Sequence, residues 1–331
     1  MKTILLAALL TTKTFTPDPA PVVDGDTLWV FTGHDMPNAT WFHMPDWQVL
    51  STKNMVDWTH HGVVMGTDVF KWAHQGDRAW ASQAIKRNGK WFWYVAVMKE
   101  GGGDCIGVAT AKSPLGPWRD PIGKPLAGPG HAWIDPTVFI DDDGSAWLFW
   151  GNCGGDPGCW YAELNRDMVS FKGEIKPVPG LLDEKAFGPL VKRKDGSMRT
   201  RFEEAPWIYK RGKTYYFEYA AGGIPEHWDY ATAKSIHGPW TYGGEILSPA
   251  MRSFTIHGGS VTFKGRNYLF YHNGMAPGGG GFCRSACFTE FKYNKDGSIP
   301  HLEFDDTEIK RGSKKSASDN GKSQSSKNGN H

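Results

Sequence analysis

Hydrophobic positions along the chain come in short runs cut by polar turns, and no segment sustains the period of a long amphipathic helix. Five stretches share one layout: a short apolar strand, a polar turn holding a glycine, and a second strand rich in aromatics. They are DPAPVVDGDTLWVF from Asp18, WASQAIKRNGKWFWYV from Trp80, DPTVFIDDDGSAWLFW from Asp135, EAPWIYKRGKTYYFEY from Glu204 and HGGSVTFKGRNYLFYH from His257. Their turn glycines, Gly25, Gly89, Gly144, Gly212 and Gly265, lie 64, 55, 68 and 53 residues apart. Each stretch reads as a β-hairpin.

A second signature carries the same period. ATAKSPLGPW (109–118) and ATAKSIHGPW (231–240) differ at only two positions and are offset by 122 residues, two repeats. STKNMVDWTHHG (51–62) and LNRDMVSFKGE (164–174) are looser copies, and the fifth repeat closes with RSACFTEFKYNKDGSI. Each repeat therefore holds the hairpin, a third strand ending in Thr/Ser-x-Lys, and a turn leading to a tryptophan-marked edge. Repeats of this length with about four strands each predict an all-β fold, a five-bladed β-propeller with four-stranded blades around a central channel. A β-sandwich would not explain a period that runs through the whole body, and a parallel β-helix needs a much shorter repeat. The propeller is expected over 13–309, with 1–12 a signal or leader segment and 310–331 a disordered, polar, basic tail or linker.

Composition sharpens this picture at four points. Among 331 residues there are 16 Trp, 18 Phe and 11 Tyr, which suits core filling between sheets and, at a few positions, stacking on sugar rings. Residues 310–331 carry six Lys/Arg against one Asp, leaving 31 basic and 34 acidic residues in the body, so a nucleic-acid partner is not supported. The tail's composition would also suit a link to a carbohydrate-binding domain, and the chain is read as a monomer. The apolar run Thr3–Leu10 behind Lys2 resembles a secretory signal, which would make the protein secreted or periplasmic. Its other reading is a leading strand of the fold, and it is too short to span a membrane as a helix. Five cysteines leave an odd count; Cys153–Cys159 or Cys283–Cys287 could pair, and none has paired zinc-ligand spacing.

The repeat also gathers chemistry. The first strand of each blade lines the channel, so matching positions approach the axis at one height. At the start of that strand the repeats offer Asp18, the Trp80–Ala81 pair, Asp135, Glu204 and His257. Packing gives no reason to gather three carboxylates, which repel and perturb one another's proton affinity, so the cluster is a candidate site. One protonated carboxyl and one ionised carboxylate across a bond is the equipment of glycoside hydrolysis. Placement on opposite blades favours the wider separation of inverting enzymes, which leaves room for water.

Asp in TPDPAPVV, Asp in IDPTVFIDDDG and Glu in EAPWIYKRGKTYYF, in that order on a five-bladed repeat, resemble glycoside hydrolase family 43, the arabinofuranosidases, β-xylosidases and arabinanases. DWTHHG, AWASQ, SFTIHGGSV and GGGFCRSAC agree with it. The resemblance implies an inverting enzyme with Asp18 as general base, Glu204 as general acid and Asp135 as the group that orients the acid and raises its pKa. It favours Glu204 over Glu203, as does strand alternation, which turns Glu203 away. It further implies Arg284 in the sugar pocket and His257 beside a channel calcium held through water, with no cofactor required for the chemistry. Ser82, where relatives often carry proline, and IHGG, in place of His-Pro-Gly, depart from the pattern at the pocket rim. The expected substrate is an arabinose- or xylose-containing polysaccharide or oligosaccharide such as arabinoxylan, cleaved at terminal or side-chain pentoses. Phe31, Trp80 and Trp133 are expected to wall the pocket, with Asp35 and Arg284 as hydrogen-bonding groups. An endo-acting arabinanase and a catalytically silent sugar-binding propeller are the alternatives.

Overall fold

The computed structural model describes residues 8–155 and 158–302. The tail at 310–331 lies outside them, as does most of the N-terminal segment. Among the described residues, alternating apolar strands pair into five antiparallel sheets of four strands and a two-stranded ribbon, Val191–Lys192 with Met198–Arg199, with only two helical turns, Thr67–Val69 and Glu184–Phe187. Blade 1 runs outward from Ala20–Asp24 through Thr27–Gly33 and Asp46–Thr52 to Trp58–Gly66, and blade 2 from Ser82–Arg87 through Lys90–Met98 and Asp104–Ala111 to Ala127–Gly130. Blade 3 comprises Thr137–Ile140, Ala146–Trp150, Trp160–Leu164 and Lys176–Pro177; blade 4 comprises Phe202–Arg211, Thr214–Ala221, His227–Ala233 and Thr241–Leu247. The innermost strands touch in the cyclic order 1–2–3–4–5–1, which closes the ring.

Blade 5 takes only three strands from the last repeat: Gly259–Phe263, Arg266–Asn273 and Ser285–Phe291. Its outer strand is Ala8–Leu9, which pairs with Phe288 and Cys287, and the Leu10 N–H donates to the Ala286 carbonyl at 3.0 Å. Of the apolar run at the N-terminus, Ala8–Leu10 is thus built into the ring, as the leading-strand reading expected. This N-terminal strand completes the last blade, so the ring is sealed by ladder hydrogen bonds between distant parts of the chain and Ser285–Phe291 is paired where it would otherwise be the blade's edge.

Between blades the aromatics pack edge to face. Phe31, wholly buried, meets Trp93 at 4.7 Å and Trp118 at 6.3 Å between ring centroids. The tryptophans that end the GPW turns, Trp118 and Trp240, are core fillers: Trp118 lies 5.0 Å from Trp93, and Trp240 lies 5.3 Å from Phe217. All five cysteines are free thiols, including both pairs that spacing had suggested.

Candidate active site

The site residues come to the channel at the start of the inner strands, Asp18 and Asp135 just ahead of theirs and Glu204 within the first residues of its own, and the backbone at or beside these three departs from ordinary geometry. Asp18 and Asp135 adopt left-handed φ of 55° and 57°, and Ala205, next to Glu204, has φ of 58°. Such φ values are uncommon outside glycine, are best tolerated by Asp and Asn, and cluster where surrounding structure fixes a side chain's aim. Pro19 and Pro136 sit one residue before strands that start at Ala20 and Thr137, so their missing N–H removes no ladder bond. In blade 4 the register against Thr214–Ala221 shifts on both sides of Glu204, a bulge that re-aims the glutamate.

The result is a cavity of about 190 Å³ lined by Asp18, Asp135, Glu204, His257 and Arg284, with Trp41, Phe42, Met44, Trp80, Ala81 and Ile134 as its apolar wall. Arg284 is its electrostatic centre. Its Nε and Nη2 donate to the two Asp35 oxygens at 2.9 and 3.0 Å, and its Nη1 donates to Asp18 Oδ1 at 3.1 Å. His272 braces the same aspartate. Its Nε2 lies 3.0 Å from the Thr255 carbonyl and therefore donates; its Nδ1 lies 3.2 Å from the Asp18 N–H and accepts. Across the cavity, Asp135 Oδ2 accepts from the Ala205 N–H at 3.1 Å and stands 3.8 Å from His257 Nδ1. Glu204 Oε2 accepts from Asn152 Nδ2 at 2.7 Å.

These neighbours divide the carboxyl groups by protonation. Burial is the largest influence on Asp18 and pushes it up, but the Arg284 charge together with His272 and His257 outweighs burial and holds Asp18 well below the usual carboxylate range. Burial, opposed by the Asn152 hydrogen bond and helped by the Glu203 and Asp18 charges, raises Glu204 to about 7. Asp135 is pushed well up by burial, then by Glu204 and Asp18. One cation cannot neutralise four carboxylates, so the Asp135–Glu204 side keeps a proton while Asp18 stays charged. His257 is lowered to about 4 by burial and is neutral at ordinary pH.

Three residues expected at the rim stand elsewhere. Phe31 is sealed between blades 1 and 2, because a strand aromatic in a propeller faces the neighbouring sheet. Trp133 packs 5.6 Å from both Trp150 and Trp160, in the core of blades 2 and 3, while its neighbour Ile134 reaches the cavity. Asp35 is fully buried with both oxygens taken by Arg284, so it positions that arginine and does not face a sugar. Trp80 and Arg284 do line the cavity. Glu203 points away and pairs with Arg199 at 2.5 Å. Sequence reasoning missed His272, which ends the fifth repeat stretch within the strand Arg266–Asn273, and also Asn152, Trp41, Phe42 and Met44, which no repeat marks because the loop after the second strand differs from blade to blade.

Comparison with known proteins decides the family: residues 11–299 match the profile of Glycosyl hydrolases family 43. The chain belongs to glycoside hydrolase family 43. Among its relatives is Xylosidase/arabinosidase 43A of Humicola insolens, 32% identical across 88% of this chain and 98% of that one. The structure of the RS223 β-xylosidase superposes with a TM-score of 0.77 at 29% identity, covering 92% of this chain and 99% of that one. A family 43 β-xylosidase/α-arabinofuranosidase from a compost microbial metagenome, in complex with xylotriose and in a calcium-free form, gives a TM-score of 0.77 at 29% identity over 90% of this chain and 97% of that one. As a family 43 member this chain is a glycosidase, and its propeller is the family's catalytic framework. Among the described residues no three His, Cys, Asp or Glu side chains gather as a metal site, so those side chains alone do not supply the six to eight oxygens that calcium takes. No helix among the described residues is long and apolar enough to cross a membrane.

Proposed function

We propose that the protein is an inverting exo-acting or debranching glycosidase that removes α-L-arabinofuranosyl or β-D-xylosyl residues from hemicellulose such as arabinoxylan. The observation that carries this reading is the coexistence, in one small cavity, of an ionised Asp18 and a Glu204 raised to about 7. Asp18, held charged by Arg284, takes the proton of the attacking water. Glu204, raised to about 7 and so still carrying a proton in a substantial fraction of molecules at neutral pH, gives that proton to the leaving oxygen. Asp135 fixes the backbone of the acid through the Ala205 N–H and shares the buried charge with Glu204, which favours a protonated acid. The chemistry uses these side chains and water and calls for no cofactor; a calcium near His257 would be held through water.

Relatives that carry xylosidase and arabinosidase activities in their names, and one bound to xylotriose, support pentose substrates and oligosaccharide ligands. A cavity of about 190 Å³, smaller than the usual several-hundred-Å³ ligand site, suits one terminal sugar and supports terminal over internal cleavage. The test is incubation with aryl α-L-arabinofuranoside, aryl β-D-xyloside and arabinoxylan, followed by proton NMR. Released pentose whose first-formed anomer is inverted is expected. Absence of release from every pentose substrate would remove the hydrolase reading, and an initially retained anomer would remove the inverting one.

A further inference from the structure

The cavity wall from residue 41 to residue 44 runs from exposed to sealed. Met44 is fully buried, Phe42 is half-buried with the Arg284 guanidinium 5.0 Å from its ring, and Trp41 is 42% exposed. Trp41 therefore stands at the mouth while still lining the cavity. Its ring meets Trp80 and Phe42 edge to face at 6.2 and 6.0 Å, so neighbours hold it in place although solvent reaches it. Arg78 lies over the same pair, with its guanidinium carbon 4.8 Å from the Trp41 ring and 5.1 Å from the Trp80 ring.

The backbone beneath is laced together. Asp77 Oδ1 accepts from the Met44 and Arg78 N–H groups at 3.1 and 2.8 Å, and Ala79 N–H donates to the Met44 carbonyl at 2.8 Å. Arg78 itself holds a left-handed φ of 59°. Among the described residues no carboxylate pairs with its guanidinium, whose donors remain open at the rim.

A part-exposed tryptophan and a planar cation laid over its ring and that of Trp80 form an amphipathic platform. It suits a ligand with an apolar ring face and peripheral hydroxyls, since the aromatic takes C–H groups and the arginine donates to oxygen. The cavity behind it takes one sugar, so the next unit of the substrate must lie at the mouth. We propose that Trp41 and Arg78 form the leaving-group subsite, binding the neutral pyranose ring from which the pentose is cut. This rests on the pentosidase reading above. Interaction there is made by the part of the substrate that departs, so it affects polymeric substrates and spares those whose leaving group has no ring.

The experiment pairs a pentosyl fluoride, whose leaving group is a single atom, with the oligosaccharide of the same pentose. Trp41→Ala is expected to lower kcat/KM on the oligosaccharide about tenfold more than on the fluoride, from the size of one aromatic stacking contact. Arg78→Ala should lower the oligosaccharide value about threefold, as expected of one hydrogen bond to a sugar hydroxyl at an exposed rim. Trp41→Phe, which keeps a ring face, should recover most of the loss, and unchanged thermal melting shows that each variant folds. Equal losses on both substrates would make Trp41 a wall of the inner pocket and overturn the assignment. No loss on either would overturn it as well. If the wild type cleaves neither substrate, the pentosidase reading fails and this inference with it; wild-type cleavage of both separates the two failures.

Discussion

Arg284→Met is the most informative single substitution, because one buried guanidinium serves two carboxylates. Arg284 is 4% exposed, bonds both Asp35 oxygens, and reaches Asp18 at 3.1 Å. Methionine keeps comparable volume and removes the charge. In an effective dielectric of about 20, an ion pair at this range is worth about 4–5 kcal/mol, equivalent to about three pH units in the proton affinity of Asp18. Burial would then act on Asp18 with its main opponent gone, so the acidic limb of kcat/KM should move up by about that amount.

Stability should follow with a definite sign. In the wild type the depressed Asp18 contributes stability above the ordinary carboxylate range, and that stability is lost as pH falls through its lowered pKa. In the variant both aspartates are buried without a cation, a loss of about 3–5 kcal/mol near neutrality. The loss should shrink as the pH falls, because protonation removes the unpaired charges. Urea melts at about pH 4.5 and about pH 7.5, together with a kcat/KM profile on an aryl pentoside, measure both effects. An acidic limb that stays in place, or an equal stability loss at the two pH values, would refute the idea that Arg284 keeps Asp18 ionised.

Other consequences can be checked on the same substrates. The basic limb of wild-type kcat/KM should fall at about pH 7, where Glu204 loses its proton. Glu204→Gln should abolish that limb and cut hydrolysis of natural glycosides by roughly 10²–10⁴, with a smaller loss on aryl glycosides whose leaving groups need no proton. Asn152→Ala withdraws a donor that favours the ionised acid, so the basic limb should move upward by about one pH unit; a downward movement would contradict the assigned hydrogen bond. Leu10→Ala, at a buried position beside the strand that closes blade 5, should destabilise the fold by about 2–3 kcal/mol in a urea melt, whereas a residue that belongs only to a leader would show no change.

Much of the site was legible because the blade repeat ties phase in the chain to height along the channel. Asp18, Asp135, Glu204 and His257 share one position in their repeats, and a ring of inner strands must bring such positions together. Glu204 was separable from Glu203 for the same reason: neighbouring strand residues face opposite ways, and Glu203 indeed turns to Arg199. The proline after each aspartate reads from the sequence as a strand's first residue, and the structure places it one residue earlier, where no ladder bond is lost.

The amino-acid sequence alone determined the five blades, the identity of the axial carboxyl groups and the family, since all three depend on short-range patterns repeated along the chain. Only the tertiary structure decided which groups tune them. Period-two alternation says which face a side chain takes but not which blade it meets, so Phe31 could be placed inward without revealing that it faces Trp93 and not a sugar. Asp35 carries a charge that looks available until Arg284, 249 residues away, takes both its oxygens. Trp41 and Phe42 sit in a loop with no period to read, and Ala8–Leu9 finds its partner strand at the other end of the chain. Proton affinities at the site follow from these long-range contacts, because burial and charge act through space and not along the chain.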